Sequence, residues 1–143
     1  MMLFFIILQF SLLLLMLLQD WFPFAPFNHI EAFDLSYRLI GSIINGSFVF
    51  IPLLITLINY HEETMSLAAN ISLVAFYFTL TIGTVFSWWV PYFLGGFKSQ
   101  KQQVSQAQFF PNSAENIIPN TLHTILHLQI WSCLALSIYL LVN

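Results

Sequence analysis

Four long apolar stretches constrain this chain more than any other feature of its sequence. A helix that crosses the roughly 30 Å hydrocarbon layer of a bilayer needs about 20 mostly apolar residues. Stretches of that kind cover residues 1–18, 39–60, 66–93 and 121–142. Backbone polar groups within lipid must be paired inside the protein, and a helix pairs them within its own segment. The sequence therefore predicts an all-α polytopic membrane protein, a four-transmembrane-helix bundle that forms a single membrane domain over residues 1–143.

Composition argues against a soluble fold. The chain is 59% hydrophobic and only 6% charged, whereas a soluble domain carries about 25% charged residues. The expected partner of the helices is therefore the lipid bilayer. With three basic residues and no basic cluster, nucleic-acid binding is not expected, because phosphate binding needs clustered Lys and Arg. Cys133 is the single cysteine, which excludes an intrachain disulfide and a CxxC motif.

The connections between the stretches predict a topology. Residues 20–38 and 94–118 form two long connections, and residues 61–65 form a short turn. Four crossings place both long connections on one face of the membrane, called here the long-connection face, and put the short turn and both termini on the other. The three basic residues all lie on the long-connection face: Arg38, Lys98 and Lys101. The positive-inside rule places that face in the cytoplasm and both termini outside.

The main chemical candidate is a histidine pair, His123 and His127, at the start of the last stretch. Their spacing of four residues puts both imidazoles on one helical face, where they can hold a transition metal. The first long connection supplies possible further ligands: Asp20, His29, Glu31 and Asp34. The HExxH pattern is absent, since Thr124 follows His123. The alternative is structural, with His123 at the membrane interface and His127 hydrogen-bonded to another helix.

Polar residues occur inside the second, third and fourth apolar stretches, and two roles are possible for them. They are Ser42, Asn45, Ser47, Asn70, Ser72, Thr79, Thr84, His127, Gln129 and Ser132. They either line a path for a small polar solute or form hydrogen bonds between helices. No Asp, Glu, Lys or Arg is embedded in the middle of a stretch, which argues against an ion-coupled carrier. The sequence favours the interhelical hydrogen bonds.

Small residues recur every four positions in the third stretch, at Ala75, Thr79, Gly83 and Ser87. Small side chains let two transmembrane helices approach closely, so this stripe predicts a packing seam. The partner helix can belong to this chain or to another. Pro52 and Pro91 are expected to kink or end their helices, because proline lacks an N–H group.

Three strings together carry a resemblance. They are Asp20-Trp21-Phe22-Pro23 with Pro26-Phe27-Asn28, then Trp88-Trp89-Val90-Pro91-Tyr92-Phe93-Leu94-Gly95, and Pro119-Asn120-Thr121-Leu122-His123. The chain resembles, over most of its length, a group of small bacterial membrane proteins that have four predicted spans and no assigned activity. The resemblance implies a multi-pass protein of the bacterial cytoplasmic membrane, and it transfers no catalytic residue.

Enzymatic activity is not supported, since no nucleophile has a recognisable setting and phosphate loops and dinucleotide fingerprints are absent. The sequence favours a subunit or accessory protein that acts through helix packing and its long-connection face. Its partner would be another membrane protein or a second copy, with no cofactor. One alternative is a metal-binding membrane protein or a metal-dependent membrane enzyme using His123 and His127. The other is a facilitator for small polar solutes.

Overall fold

The computed structural model describes residues 1–23, 34–60, 65–94 and 121–143. They form four helices, α1 (Met2–Trp21), α2 (Leu35–Ile58), α3 (Leu67–Leu94) and α4 (Thr121–Val142), each long and apolar enough to cross a membrane. No strand occurs in these four ranges. The predicted all-α, four-helix fold is confirmed, and the chain is a multi-pass membrane protein.

The four helices form a ring in which α1 lies between α2 and α4. Helix α3 packs mainly against α4 and has a smaller contact with α2. A hydrogen bond of 3.1 Å from Gln129 to Ser11 joins the middle of α4 to the middle of α1. All four helices contribute to one buried core, which includes Leu12, Val49, Leu73 and Ile130. Most other large apolar side chains face outward, where lipid would contact them.

The junction of α1 and α2 explains why both helices are longer than predicted. Helix α1 continues to Trp21 instead of ending at residue 18, and α2 begins at Leu35 instead of residue 39. The last carbonyl groups of a helix have no partner within it. Here the Arg38 guanidinium donates to the backbone oxygen of Asp20 at 3.0 Å and to that of Trp21 at 3.5 Å. The polar residues at this junction therefore complete the helix ends.

The predicted bounds of the other two helices agree closely with the structure. Helix α3 covers Leu67–Leu94 and α4 covers Thr121–Val142. Pro52 lies buried inside α2, and Pro91 lies in the last turn of α3. Neither proline ends its helix at once. The turn that precedes Pro91, Val85–Trp89, is a widened π turn, a local feature that often occurs at functional positions.

The small-residue stripe of α3 lies on the outer surface of the bundle. All four members are exposed: Ala75, Thr79, Gly83 and Ser87. A Cβ atom added at Gly83 would meet nothing within 4 Å. The seam is therefore not filled by another helix within the described part of this chain. Gly46 on α2 differs, because it is buried and its added Cβ would lie 3.5 Å from Leu17 on α1.

Candidate functional site

The two histidines of α4 share one face, as their spacing predicts. Their ring centroids are 6.3 Å apart. His127 is 2% exposed, and His123, one turn closer to the start of the helix, is half-buried. Both rings turn toward the end of α3, so they lie inside the bundle near the long-connection face. This placement brings them against aromatic side chains.

Three tryptophans surround the histidine pair. The ring of Trp88 lies 4.2 Å from that of His123, centroid to centroid. The indole N–H of Trp89 donates to Nδ1 of His127 at 3.1 Å. Trp131, one turn further along α4, lies 5.6 Å from Trp89 and 6.5 Å from His127, again between ring centroids. These five side chains are called the histidine–tryptophan cluster.

The π turn of α3 helps to build this cluster. Pro91 has no N–H group and its ring crowds the carbonyl one turn earlier, so a regular helical turn is disfavoured before it. The widened turn Val85–Trp89 occupies that position. Trp88 and Trp89 come at its end, and both reach the histidines of α4. A local irregularity of the backbone thus places two consecutive tryptophans on one partner helix.

The hydrogen bond to His127 fixes the form of its imidazole. An indole N–H can only donate, so Nδ1 of His127 must present a lone pair. The neutral ring then carries its proton on Nε2 and has no second lone pair for a metal. If a metal bound Nε2, the ring proton would move to Nδ1. There it would point at the indole N–H of Trp89, and two donors would face each other. The bond from Trp89 therefore competes with metal binding at His127.

The proposed additional ligands are not assembled around the histidines within the described residues. Asp20 lies in the last turn of α1, where its carboxylate accepts a hydrogen bond from Ser42 at 3.0 Å. Asp34 is exposed and directly precedes α2. His29 and Glu31 lie outside the described residues. No group of three His, Cys, Asp or Glu side chains suited to a metal occurs in the described ranges, and the metal site stays a prediction.

The predicted polar path is divided between two environments. Ser42, Asn70 and His127 are buried. Four other members face outward: Asn45, Ser47, Thr79 and Ser132. The buried face of α4 carries polar side chains along most of its length, namely Thr121, Thr124, His127, Cys133 and Ser137. The interior is therefore more polar than the predicted set implied.

Gln9 and Tyr77 are two of the interior polar residues that the sequence did not predict to be buried. Each is fully buried, Gln9 on α1 and Tyr77 on α3. Both amide atoms of Gln9 and the hydroxyl oxygen of Tyr77 lack a hydrogen-bond partner among the described residues. An unsatisfied buried polar group typically costs about 1–3 kcal/mol. The sequence did contain one sign of a polar interior, because Gln9 and Ser11 interrupt an otherwise apolar first stretch.

Comparisons with protein-family models, curated proteins and solved structures found no match. The functional inference therefore depends on the physical features of the molecule, of which the outward-facing polar groups are the most informative.

Proposed function

We propose that this protein is a membrane-embedded subunit that associates with another membrane protein through the outer face of α2. The observation that carries the proposal is the exposed side chain of Asn45. Helix α2 has 24 residues, which span about 36 Å at 1.5 Å per residue. Asn45 lies near the middle of that length, so its carboxamide would face the hydrocarbon of a bilayer in an isolated chain.

Three outward-facing hydroxyls on α3 and α4 satisfy themselves locally, whereas the carboxamide of Asn45 does not. The hydroxyls of Ser72, Thr79 and Ser132 each donate to a carbonyl of their own helix at 2.8 Å. Asn45 makes no side-chain hydrogen bond within the described ranges. Lipid hydrocarbon offers neither donors nor acceptors, so an unpaired amide there is costly. Association with a polar side chain of another helix would remove that cost.

The chemistry of Asn45 defines the partner surface. A carboxamide both donates and accepts hydrogen bonds, so a helix with Asn, Gln, Ser or Thr at the same depth would complement it. A second copy of this chain supplies its own Asn45. Gly41, one turn away on the same face, has nothing within 4 Å of an added Cβ, which would allow a close approach. The outward stripe of α3 is a second surface of the same kind.

The resemblance and the charge pattern support a location for this assembly. The bacterial cytoplasmic membrane, with the long-connection face in the cytoplasm, is the setting we propose. The Arg38 guanidinium lies at the α1–α2 junction, 5.1 Å from the centre of the Trp21 ring, so this basic residue belongs to the long-connection face. Tryptophan and arginine are both suited to the border between lipid and water.

The test replaces Asn45 by leucine and measures association after extraction of native membranes with mild detergent. Interhelical hydrogen bonds in membranes are worth about 0.6 kcal/mol on average and about 1.7 kcal/mol at most, equivalent to about 3- to 20-fold in an association constant. Asn45→Leu should therefore lower the association constant by such a factor in mild detergent, and so reduce the amount of co-purified partner. The matched control is Ile44→Leu, which changes an adjacent exposed residue without removing a polar group.

Two differently tagged copies distinguish the possible partners. If the tags co-purify from one membrane and Asn45→Leu separates them, the partner is a second copy. If a different membrane protein co-purifies at a fixed ratio and is lost in the variant, that protein is the partner. Equal association of Asn45→Leu, Ile44→Leu and the unaltered chain would contradict the proposal.

A further inference from the structure

Helix α2 packs along α1 but diverges from the last part of α3. On the α1 side, the Ser42 hydroxyl donates to the Asp20 carboxylate at 3.0 Å. On the other side, no Cα atom of α2 lies within 8 Å of a Cα atom in residues 85–94 of α3, although both segments extend to the long-connection face. The two helices are therefore separated in this half of the membrane. The region between residues 35–45 of α2 and residues 85–94 of α3 is called the α2–α3 opening.

The burial of one face of α2 shows where this divergence begins. Asn45 and Pro52 are seven residues apart and Pro52 and Thr56 are four residues apart, so all three point in nearly the same direction. Pro52 and Thr56 are buried, whereas Asn45 is exposed. The face that carries these residues therefore lies inside the bundle in the half of α2 that ends at Ile58, and it has left the interior at Asn45.

Pro52 gives the divergence a physical cause. Its ring has no N–H group and crowds the carbonyl oxygen of Phe48, one turn earlier, which favours a bend in the helix. The crowding is relieved when the segment before the proline tilts away from the side on which the proline lies, and Pro52 faces the interior. The same proline leaves the Phe48 carbonyl without its usual helical donor. Residues 35–48 of α2 are thus directed away from α3, with an unpaired acceptor close to Asn45.

The depth of Asn45 decides which kind of molecule can complete this face. Asn45 lies about 15 Å along α2 from Leu35, at 1.5 Å per residue. The polar groups of lipids lie outside the roughly 30 Å hydrocarbon layer, so only acyl chains reach this depth, and they cannot pair a carboxamide. A transmembrane helix, in contrast, can carry a hydrogen-bonding side chain at any depth. The depth of Asn45 therefore favours a protein helix over a lipid.

We infer that this helix is α2 of a second copy of the chain, which packs at the α2–α3 opening against α2 and α3. The inference rests on the proposed association through Asn45 and names its partner. A two-fold axis along the membrane normal brings the same surface of both copies together, with each residue opposite its counterpart at the same depth. A carboxamide both donates and accepts hydrogen bonds, so two Asn45 side chains satisfy each other.

The residues beside Asn45 suit a close contact between the two copies of α2. Gly41, one turn before Asn45, has nothing within 4 Å of an added Cβ atom, and glycine lets transmembrane helices pack closely. Phe48 follows Asn45 by three residues and is 40% exposed, so its ring is available to the partner. Gly41 and Phe48 are seven residues apart and share one face. They therefore flank Asn45 along the expected contact.

Disulfide formation between single cysteines tests this contact. Gly41→Cys and Phe48→Cys, each in a Cys133→Ser background, would be oxidised with copper phenanthroline in native membranes, and the disulfide-linked dimer would be measured by electrophoresis without reductant. Two cysteines are bridged only when their Cα atoms are about 4.4–6.8 Å apart, so both variants should give about tenfold more dimer than Ile43→Cys. Ile43 is the matched control, because it is exposed at a similar depth on the opposite side of α2.

A further variant tests the use of the α2–α3 opening. Pro52→Ala restores an N–H group inside α2 and removes the crowding at Phe48, so α2 can straighten toward α3. In the Gly41→Cys background, Pro52→Ala should at least halve the yield of cross-linked dimer, while circular dichroism shows that the helices are retained. An unchanged yield in the folded variant would show that the second copy does not depend on the opening, and would overturn this part of the inference.

The outcomes distinguish this inference from the proposed function on which it rests. A dimer yield for Gly41→Cys and Phe48→Cys no higher than that for Ile43→Cys would overturn the inference of a second copy. If Asn45→Leu still loses a different membrane protein in that case, association through α2 is correct and only the partner is wrong. If the cross-links form but Asn45→Leu associates as strongly as the unaltered chain, the second copy is supported and the proposed role of the carboxamide fails.

Discussion

The hydrogen bond between Trp89 and His127 allows the most quantitative prediction. We expect a double-mutant cycle with Trp89→Phe and His127→Leu to give a coupling free energy of about 1 kcal/mol. The bond is 3.1 Å long, joins two neutral groups and is partly buried, so we place it between the average for interhelical bonds, about 0.6 kcal/mol, and the measured maximum, about 1.7 kcal/mol. The cycle cancels the packing changes that each single substitution introduces alone.

The single substitutions should differ in a defined order. His127→Leu removes the acceptor and leaves the indole N–H unpaired, which should cost about 1–3 kcal/mol of unfolding free energy. His127→Gln keeps an acceptor at this position and should cost less. The assay is reversible unfolding in mixed detergent and lipid micelles, followed by tryptophan fluorescence or circular dichroism. A coupling free energy within about 0.3 kcal/mol of zero, the level of independent sites, would refute the hydrogen-bond interpretation.

Three further predictions concern other parts of the molecule. Arg38→Met should lower the unfolding free energy by about 1–3 kcal/mol, because two backbone oxygens at the end of α1 lose a charged donor. Ser36→Ala, at an exposed position, is the control. Equal stability of the two variants would contradict this role of Arg38. Gly46→Leu should destabilise the bundle by about 1–3 kcal/mol through overpacking against Leu17. Gly83→Leu should leave the thermal stability in detergent unchanged. A large loss of thermal stability in Gly83→Leu would place Gly83 inside the bundle. The purified protein incubated with zinc, copper or iron should retain no stoichiometric metal after gel filtration, because the indole N–H of Trp89 occupies Nδ1 of His127. Bound metal that is lost in both His123→Ala and His127→Ala, but kept in Thr124→Ala, would instead establish the metal site.

The sequence was sufficient for the helices because hydropathy alone identifies a membrane span. The bounds of α4 agree with the prediction, since both ends of its apolar stretch are marked by polar or terminal residues. The end of α1 was predicted too early because Gln19 and Asp20 are polar. Asp20 is supported at the helix end by Arg38 and Ser42 from α2, and that support comes from tertiary structure, which a hydropathy pattern does not contain.

Whether a polar side chain points into the bundle or outward was harder to predict. Lipid is as apolar as the bundle core, so the apolar pattern of a span does not distinguish its inner and outer faces. Asn45 and Asn70 both interrupt apolar stretches, yet one is exposed and the other is buried. The small-residue stripe has the same ambiguity, because close packing within a chain and between chains requires the same residues.

The histidine pair was predicted correctly to share a helical face, but its neighbours were not. The spacing of His123 and His127 defines their common direction. Their contact with Trp88 and Trp89 depends on the π turn before Pro91, and a proline alone does not specify that geometry. The acceptor role of His127 therefore became visible only in the folded structure.

The membrane topology tests the four-helix fold most directly, because the position of every surface of this protein depends on four crossings. Single cysteines at Ser36, Ser66 and Asn143, each in a Cys133→Ser background, would be labelled with an impermeant maleimide in sealed cells or oriented vesicles. Ser36 is exposed at the start of α2, Ser66 is exposed and directly precedes α3, and Asn143 follows α4. We expect position 36 to react from one side of the membrane and positions 66 and 143 to react from the other. Labelling of positions 36 and 66 from the same side would contradict it.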